Sequence, residues 1–595
     1  MSLLSKASLV VTPNVVKVGK LYSVKPTDGS GDMTVVRATS ATRVNEQGLV
    51  EIPRTNLLLR SEEFDNASWI KADSTVTANA TTSPSGTMTA DKLVENNTNS
   101  RHYIYQPTDS LVVGNTYFVS VYLKDAGRNR GRVRAAGAFA IDVEFNLQNG
   151  TVSGPNAIIQ NVGNGWYKVG FSFIANATTM GTVIFLSNST TGNSGFNYTY
   201  LGDNTSGLFL WGAQLEVDNA ATEYIPTTSV IRTRFAGITQ DGGSASNIPR
   251  LDYTNATCPS ILVEPQRTNL VTYSEQFDNA VWSSSMIRNA NATISPSGTM
   301  TADLLQVSGG SGSIYMASTI TNSAHSFSVY AKKGNWDIFR IINGSSLSNV
   351  AWFNLTNGTT SNVIGGTSQI IDVGNGWYRC IYNTTTPNTT AGITFALSSA
   401  MGSGAPPSDG SNIFIWGAQL EAGANATSYI PTVASAVTRN ADVISKTGIS
   451  SLINSNSGCL YINFSAFTNR GLIRTISLSD GTNNNQVTID IHSIENSIFG
   501  FFNVSGIQFF SNVNNINQTN YNKILIRWAA SSFSLFVNSI KVFENTTYPN
   551  VVTNLFNTLK FSKADNGRQL EGNLKEVLVF PTALTDQECI ALTTL

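Results

Sequence analysis

The chain has 595 residues, which is long enough for roughly three to five domains with a hydrophobic core each. Its formal net charge is −1 and only 13% of its residues are charged, so it lacks the basic surface that a nucleic-acid partner needs. The four cysteines have neither metal nor disulfide spacing, and no apolar run reaches the length of about 18 residues that a membrane span requires, so we expect no membrane partner.

Short apolar runs separated by Gly, Asn, Ser and Pro fill the chain, which is typical of strands joined by turns. The first such stretch, residues 1–50, predicts a small β-rich leading segment. Helical periodicity is found only in residues 584–595. The predicted fold class is therefore all-β.

A duplication follows this leading segment. Residues 83–91 (SPSGTMTAD) return unchanged as 295–303, and WGAQLE at 211–216 returns at 416–421. Repeats of this length are whole domains rather than solenoid units. They predict three consecutive segments, which are copy 1 at 51–236, a connector at 237–265 and copy 2 at 266–440.

The repeated phrases have the alternation of half-buried strands. In copy 1, Phe209, Trp211, Ala213 and Leu215 share one face of the predicted strand 208–215. A strand buries one face in this way when two sheets pack against each other, so we predict tandem β-sandwiches. Tryptophans retained in both copies are then core residues rather than sugar platforms.

The shared phrases resemble a module that is common in virion proteins of tailed bacteriophages. The module opens with RTNL at 54–57 and 267–270, and contains NGWY at 164–167 and 375–378. It closes with the WGAQLE phrase and a following YIPT. The resemblance implies a carbohydrate-binding-type jelly roll for each copy.

The remaining residues, 441–595, differ in texture and form a third predicted unit. It is similar to concanavalin-A/laminin-G-like lectin sandwiches in the order of its strands at 523–528, 534–538 and 572–580. It departs from them at Ser539, where the turn normally has Gly. No clear pair of Asp residues marks the calcium site of that family.

Together these resemblances imply a structural protein of the phage virion, a fibre or appendage that binds host-surface glycans without catalysis. Residues 1–50 would dock onto the particle, with other virion proteins as partners, and a trimer is the favoured homo-oligomer. One alternative is a purely structural head-fibre, decoration or tail component without a receptor. A glycan depolymerase is a third interpretation, which is less favoured because the sequence has no β-helix signatures.

Positions where the copies differ are the better candidates for function. Trp336 falls in a stretch specific to copy 2, where it either contacts a ligand or subunit or packs locally.

In copy 1, Arg128, Arg130, Arg132 and Arg134 occupy every second position, which places four guanidiniums on one face of a strand. They either guard a solvated edge strand or bind an acidic partner, such as an anionic glycan or a neighbouring subunit.

No catalytic motif is present, and the sequence predicts no enzyme and no cofactor. Jelly rolls of this type often hold a structural calcium between their first and last strands. The acids that could serve are Glu62 with Glu216 and Glu275 with Glu421, because calcium takes oxygen ligands. Solvated surface acids are the alternative interpretation.

Overall fold

The structure is a computed structural model that describes 3–137, 141–188, 199–254, 256–310, 312–318, 320, 323–344, 347–384, 392–469, 473–492, 496–504, 507–529, 532–546 and 555–595. The chain divides into two compact units, residues 53–245 and residues 1–52 with 246–595. The first unit holds copy 1. The second holds copy 2 and the C-terminal sandwich.

Copy 1 consists of two six-stranded antiparallel sheets around a core that contains Trp69, Val119, Phe171 and Leu215. In spatial order, the strands of the first sheet are Ala157–Gly163, Trp166–Ile174, Thr116–Ala126, Gly207–Val217, Ala90–Glu95 and Ser74–Thr81. Those of the second are Thr151–Ser153, Ile141–Asn146, Arg130–Ala136, Met180–Ser187, Tyr103–Thr108 and Ile70–Ala72. Smaller pairings join Asn99–Ser100 with Tyr200–Leu201, and Arg54–Asn56 with Arg232–Phe235 and Ile238–Asp241.

Copy 2 repeats the two six-stranded sheets strand for strand. Its first sheet runs Gly366–Asp372, Trp377–Thr384, His325–Lys333, Asn412–Ala422, Ala302–Gln306 and Ile287–Thr293. Its second runs Thr359–Ile364, Val350–Asn354, Ile338–Asn343, Gly392–Leu397, Ser313–Ala317 and Ser283–Ser284. A short pair, Arg267–Asn269 with Val437–Arg439, closes the module. The all-β class and the tandem sandwiches predicted from the sequence are thus confirmed.

The WGAQLE phrase carries a β-bulge in both copies. The register of its strand shifts between Ser120 and Tyr122 in copy 1 and between Ser328 and Tyr330 in copy 2. The glycine of the phrase has a φ of 62° in copy 1, and a Cβ there would lie 3.0 Å from the Tyr122 ring. Glycine is therefore required both by the left-handed backbone and by the close ring.

The C-terminal sandwich contains more of the chain than residues 441–595. The strands of one sheet are Arg250–Asp252, Ser260–Val263, Gly572–Phe580, Gly458–Ala466, Asn522–Ala529, Ser532–Val537 and Ile540–Asn545, with Leu9–Val11 also paired to Gly572–Phe580. Those of the other are Val16–Lys17, Lys20–Leu21, Met33–Val36, Val443–Thr447, Thr558–Lys560, Arg474–Ser479, Asn485–His492, Ser497–Val504 and Ile507–Val513.

This composition corrects two predicted boundaries. Residues 1–50 do not form a separate leading segment, because their first strands complete both sheets of the C-terminal sandwich. The stretch 237–265 is not an extended connector alone, because Arg250–Asp252 and Ser260–Val263 are strands of the same sandwich. Both segments supply buried aliphatic side chains to its core, including Leu9, Val11 and Ile261.

A cluster of buried charges links these segments within the second unit. Arg37 from the N-terminal stretch contacts Asp442 at 2.7 Å, and Arg250 contacts both Asp442 and Glu264. Arg439 lies 2.9 Å from Glu264. Every side chain of the cluster is at most 2% exposed, so the ion pairs compensate charges that water does not reach.

Regular helix is confined to short elements in the described residues. They are the helices Leu3–Lys6 and Asp586–Thr593 and the 3-10 turn Ser450–Leu452. The hairpin Arg43–Val44 with Val50–Glu51 precedes copy 1 in the chain. Across the part of the chain that the structure describes, no helix has the length and apolarity to cross a membrane.

Candidate functional site

A cleft of about 680 Å³ lies in the second unit, against copy 2. One wall is the edge strand Gly366–Asp372 of the first sheet of copy 2, and another is the loop at 425–429. The remaining walls come from the hairpin before copy 1 and from the C-terminal sandwich. Much of the lining is amide or hydroxyl, as in Ser368, Gln369, Asn383, Thr468, Asn469 and Asn573.

The back of the cleft rests on aromatic rings. The Tyr330 and Trp416 rings are 5.3 Å apart, and the Trp416 and Tyr429 rings are 4.7 Å apart. Glu275 accepts hydrogen bonds from the Trp416 indole at 3.2 Å and the Tyr429 hydroxyl at 3.0 Å. Val50 packs on this cluster, so the rings support the cleft and are themselves buried.

Two polar side chains in the cleft wall have incomplete hydrogen bonding. Asn425 is 6% exposed, and its Nδ2 has no partner among the described residues. Arg379 uses Nη2 for the Thr427 carbonyl at 2.6 Å and the Ser328 hydroxyl at 3.2 Å. Its Nε is buried without a partner in the same part of the chain. Both atoms are buried from solvent, and the Nε of other arginines, such as Arg250 and Arg439, is in the same state, so neither atom marks a ligand contact.

The two carboxylates of the cleft wall are held by the protein itself. Asp252 accepts from the backbone N–H groups of Val44 at 2.9 Å and Thr254 at 3.0 Å. Burial alone would raise the pKa of Glu264, but Arg439 and Arg250 outweigh it and lower that pKa to about 2. A general acid needs a raised pKa, so Glu264 is unsuited to that role.

Trp336 packs against the core of copy 2. Its indole N–H donates to the Ser398 carbonyl at 2.9 Å, and its ring is half-buried on the hydrophobic cluster. This agrees with the local-packing alternative. A ligand contact at Trp336 stays a prediction, and Trp336 does not line the cleft.

We expect Trp336→Ala to destabilise copy 2 by about 2–3 kcal/mol, because it removes half-buried ring contacts and the indole hydrogen bond. Thermal unfolding of the full chain measures this loss. Val281→Ala, at an exposed position of the same copy, should leave the transition in place. Unchanged unfolding combined with weaker attachment would instead support the ligand contact.

The arginine series of copy 1 is largely neutralised within copy 1. Strand Arg130–Ala136 carries three of the four arginines, and it lies between two other strands, so the edge-strand alternative is wrong. Arg132 pairs with Glu144 at 2.6 Å, and Arg134 pairs with Asp142 at 3.2 Å. Both acids lie on the neighbouring strand Ile141–Asn146.

The first arginine of the series, Arg128, precedes the strand and forms an ion pair with Glu95. For Arg130, no acid lies within 4 Å among the described residues. Binding of an acidic partner by this series stays a prediction. The sequence pattern placed the cations correctly, but it could not locate the opposing acids, which come from other strands.

The acids considered as calcium ligands accept hydrogen bonds from groups of the protein itself. Glu216 accepts from the Thr222 N–H at 2.9 Å and the Gln214 amide at 2.7 Å, and Glu421 is held in the same way in copy 2. Glu62 lies at Tyr224 and Trp211, and burial raises its pKa. In the described residues, no three acidic, histidine or cysteine side chains converge. A calcium ion at these pairs stays a prediction.

The sequence contained a signal for the cleft that the candidate residues missed. Arg379 stands where copy 1 has Lys168, and Asn425 stands where copy 1 has Ala220. Both are differences between otherwise matching phrases. The cavity beside these two residues is formed by segments that are distant in the sequence, so it can be recognised only in the folded chain.

No protein-family model and no curated protein matches the sequence. Among solved structures, the chain is similar to the CBM40 of the Ruminococcus gnavus IT-sialidase bound to alpha2,3 sialyllactose. The identity is 14% and the TM-score 0.21, over 24% of this chain and 83% of that one. Domain 4 of AbnA, a GH43 extracellular arabinanase from Geobacillus stearothermophilus in complex with arabinotriose, has 11% identity and a TM-score of 0.22, over 29% and 82%.

A leech intramolecular trans-sialidase is similar over 24% of each chain, with 15% identity and a TM-score of 0.21. One of these three neighbours is thus a carbohydrate-binding module, and another is a domain with a bound arabinose oligomer. TM-scores near 0.2 are too low to support a functional conclusion for this chain.

Proposed function

We propose that this chain binds host-surface glycans reversibly and without catalysis, as a fibre or appendage of a phage virion, and that the cleft against copy 2 is its glycan site. The observation that carries this proposal is the cleft lining. Amide and hydroxyl side chains surround it, among them Gln369, Asn383 and Asn573. Sugars offer many hydroxyl donors and acceptors, so such a lining complements them.

The arrangement of acids supports binding rather than hydrolysis. Glycoside hydrolysis uses two carboxyl groups on either side of the scissile bond, one of them protonated. In the cleft wall, Asp252 is held by backbone amides and Glu264 by arginines. This leaves a depolymerase less supported than a binding protein.

The virion setting rests on the phrases that the copies share with phage modules. Weak sites on a fibre gain strength when many copies engage one surface, and a trimer would multiply each site threefold. A purely structural virion component without a receptor is the second candidate. The buried, mutually paired arginines and acids of the second unit would suit a rigid scaffold.

Filling the cleft tests the proposal. Gln369 is an exposed residue on the edge strand that lines it, and we expect Gln369→Trp to abolish glycan retention on a host-polysaccharide array without unfolding the chain. Ile158→Trp is the matched control, because Ile158 occupies the corresponding strand of copy 1. Equal retention by both variants, or none by the unmodified chain, would remove the cleft as a glycan site and favour the scaffold.

A further inference from the structure

We infer that copy 1 has an aromatic face that docks an aliphatic β-hairpin of another protein. The four side chains of this ring face are Tyr122, Phe209, Trp211 and Tyr224. Their counterparts in copy 2 are Tyr330, Phe414, Trp416 and Tyr429. A hairpin of this chain packs on the counterparts, whereas the cluster at the ring face contains, in the described residues, side chains of copy 1 alone. The inference does not depend on the glycan cleft.

The rings have the same geometry in the two copies. The centres of the Tyr122 and Trp211 rings are 5.2 Å apart, against 5.3 Å for their counterparts. Those of Trp211 and Tyr224 are 4.6 Å apart, against 4.7 Å. Under the hairpin, Tyr330 is 3% and Tyr429 1% exposed, but Tyr122 and Tyr224 are only half-buried. The ring face therefore already has the shape that receives a hairpin in copy 2.

The hairpin on copy 2 is formed by residues 43–51. Its Val50 packs on the rings, and the Val50 N–H donates to the Pro296 carbonyl at 2.9 Å. The side chain of Leu49 lies against Gly298, because a Cβ on that glycine would be 3.0 Å from the leucine Cδ1. One strand end thus supplies both the apolar contacts and a backbone hydrogen bond.

The matching positions are open in copy 1. Gly86 is the counterpart of Gly298, and a Cβ on it would meet no described atom within 4 Å. Val162 is 38% exposed, whereas its counterpart Val373 packs on the covered cluster. The carbonyl of Pro84, whose counterpart accepts from the hairpin, has no donor among the described residues. An exposed apolar patch beside an unused backbone acceptor is typical of an interaction site.

The partner is another protein because this chain uses its own hairpins elsewhere. The hairpin 43–51 covers copy 2, and the strand pair that precedes copy 2, Arg250–Asp252 with Ser260–Val263, belongs to the C-terminal sandwich. An exchange of these segments between copies of the chain would still leave one ring face open in each. The hairpin on copy 2 also defines the partner's chemistry, which is an aliphatic strand end after a tight turn.

The experiment uses the full chain and a fluorescent cyclic peptide with the sequence of residues 41–52. The turn of this hairpin is held by its own contacts, because the Asn45 side chain accepts from the N–H groups of Gln47 at 3.0 Å and Leu49 at 2.9 Å. Fluorescence anisotropy should show saturable binding at a single site. A peptide with Val50→Asp should not bind, because it would place a charge on the rings.

The site is located by a matched pair of variants in copy 1. Val162→Asp should weaken binding by at least about tenfold, because burial against the peptide would strip the charge of its water. Since Val162 is exposed, thermal unfolding should be unchanged. Ile174→Asp should bind normally, because Ile174 is 65% exposed and lies at the opposite end of the strand that begins at Trp166.

Four results would overturn the inference or a part of it. Absence of saturable binding up to about 1 mM peptide would overturn docking. Binding that survives Val162→Asp would overturn the assignment to the ring face. An oligomer that Val162→Asp converts to monomers, measured by light scattering, would make the face an interface between copies of this chain. Host polysaccharide that is retained by the unmodified chain and lost with Val162→Asp would make it a sugar site instead.

Discussion

Deleting residues 1–36 should unfold the C-terminal sandwich. The deletion removes strands from both of its sheets, Leu9–Val11 from one and Lys20–Leu21 and Met33–Val36 from the other. Five of their side chains are at most 1% exposed in the common core, namely Leu9, Val11, Leu21, Met33 and Val35. At about 1.5–3 kcal/mol for each buried side chain, the loss is roughly 10 kcal/mol, which matches the whole net stability of a typical domain.

The measurement is thermal or urea unfolding of the deleted chain, followed by near-ultraviolet circular dichroism. Residues 53–245 form a separate compact unit and serve as the control, since they should unfold unchanged. Adding residues 1–36 back as a peptide should restore part of the transition. This expectation would be wrong if the sandwich still unfolded cooperatively at its original temperature without these residues, because their strands would then contribute nothing to its stability.

We expect Asp442→Asn to destabilise the second unit by about 3–5 kcal/mol. The carboxylate lies against Arg37 and Arg250, and its removal leaves these fully buried cations with Glu264 as the remaining acid of the cluster. Urea unfolding measures the change in the free energy of unfolding. Asp241→Asn is the control, because Asp241 and its partner Arg232 are solvent-exposed and should shift stability by less than about 1 kcal/mol. A change of that small size at Asp442 would contradict the coupling.

The acids of this cluster should protect the unit far into the acid range. Burial raises the pKa of Asp442, but Arg250 and Arg37 outweigh it and lower that pKa, while Glu264 titrates near 2. A lowered folded-state pKa gives stability that is present above the unfolded value and lost as the pH falls through the folded value. The stability difference between the unmodified chain and Glu264→Gln should therefore hold from pH 8 to 5 and shrink below about pH 4.5.

The duplicated modules were predictable because their signals are local. Alternation along 208–215 predicted that Trp211 and Leu215 share one buried face. Both are buried, but the shared face is wrong: the bulge leaves Leu215 in the sandwich core and places Trp211 in a separate cluster with Trp166. The repeated phrases implied equal topology, and the two copies have the same strand order in both sheets. Period and turn residues act within a few positions of one another, so one sequence is enough to detect them.

The misplaced boundaries arose where strands pair over long sequence distances. Val10 pairs with Leu578, and Leu262 pairs with Asn573. Because the partners are far apart in the sequence, the local pattern around one gives no signal of the other. A short apolar run such as Leu9–Val11 is the same pattern whether it is a free leading strand or part of a distant sheet. Its partner is decided by which exposed sheet edge it can complete.

The sequence by itself determined the all-β class, the duplication and the retained core, because hydrophobic periodicity and repetition can be detected without knowledge of the tertiary contacts. The tertiary structure alone decided that the termini of the second unit close one sandwich and that Arg128, Arg132 and Arg134 of copy 1 face acids. It also decided that Arg379 and Asn425 share a cleft. Charge compensation and cavities depend on which side chains meet in space, and those contacts join residues from different strands and loops that the local sequence pattern does not pair.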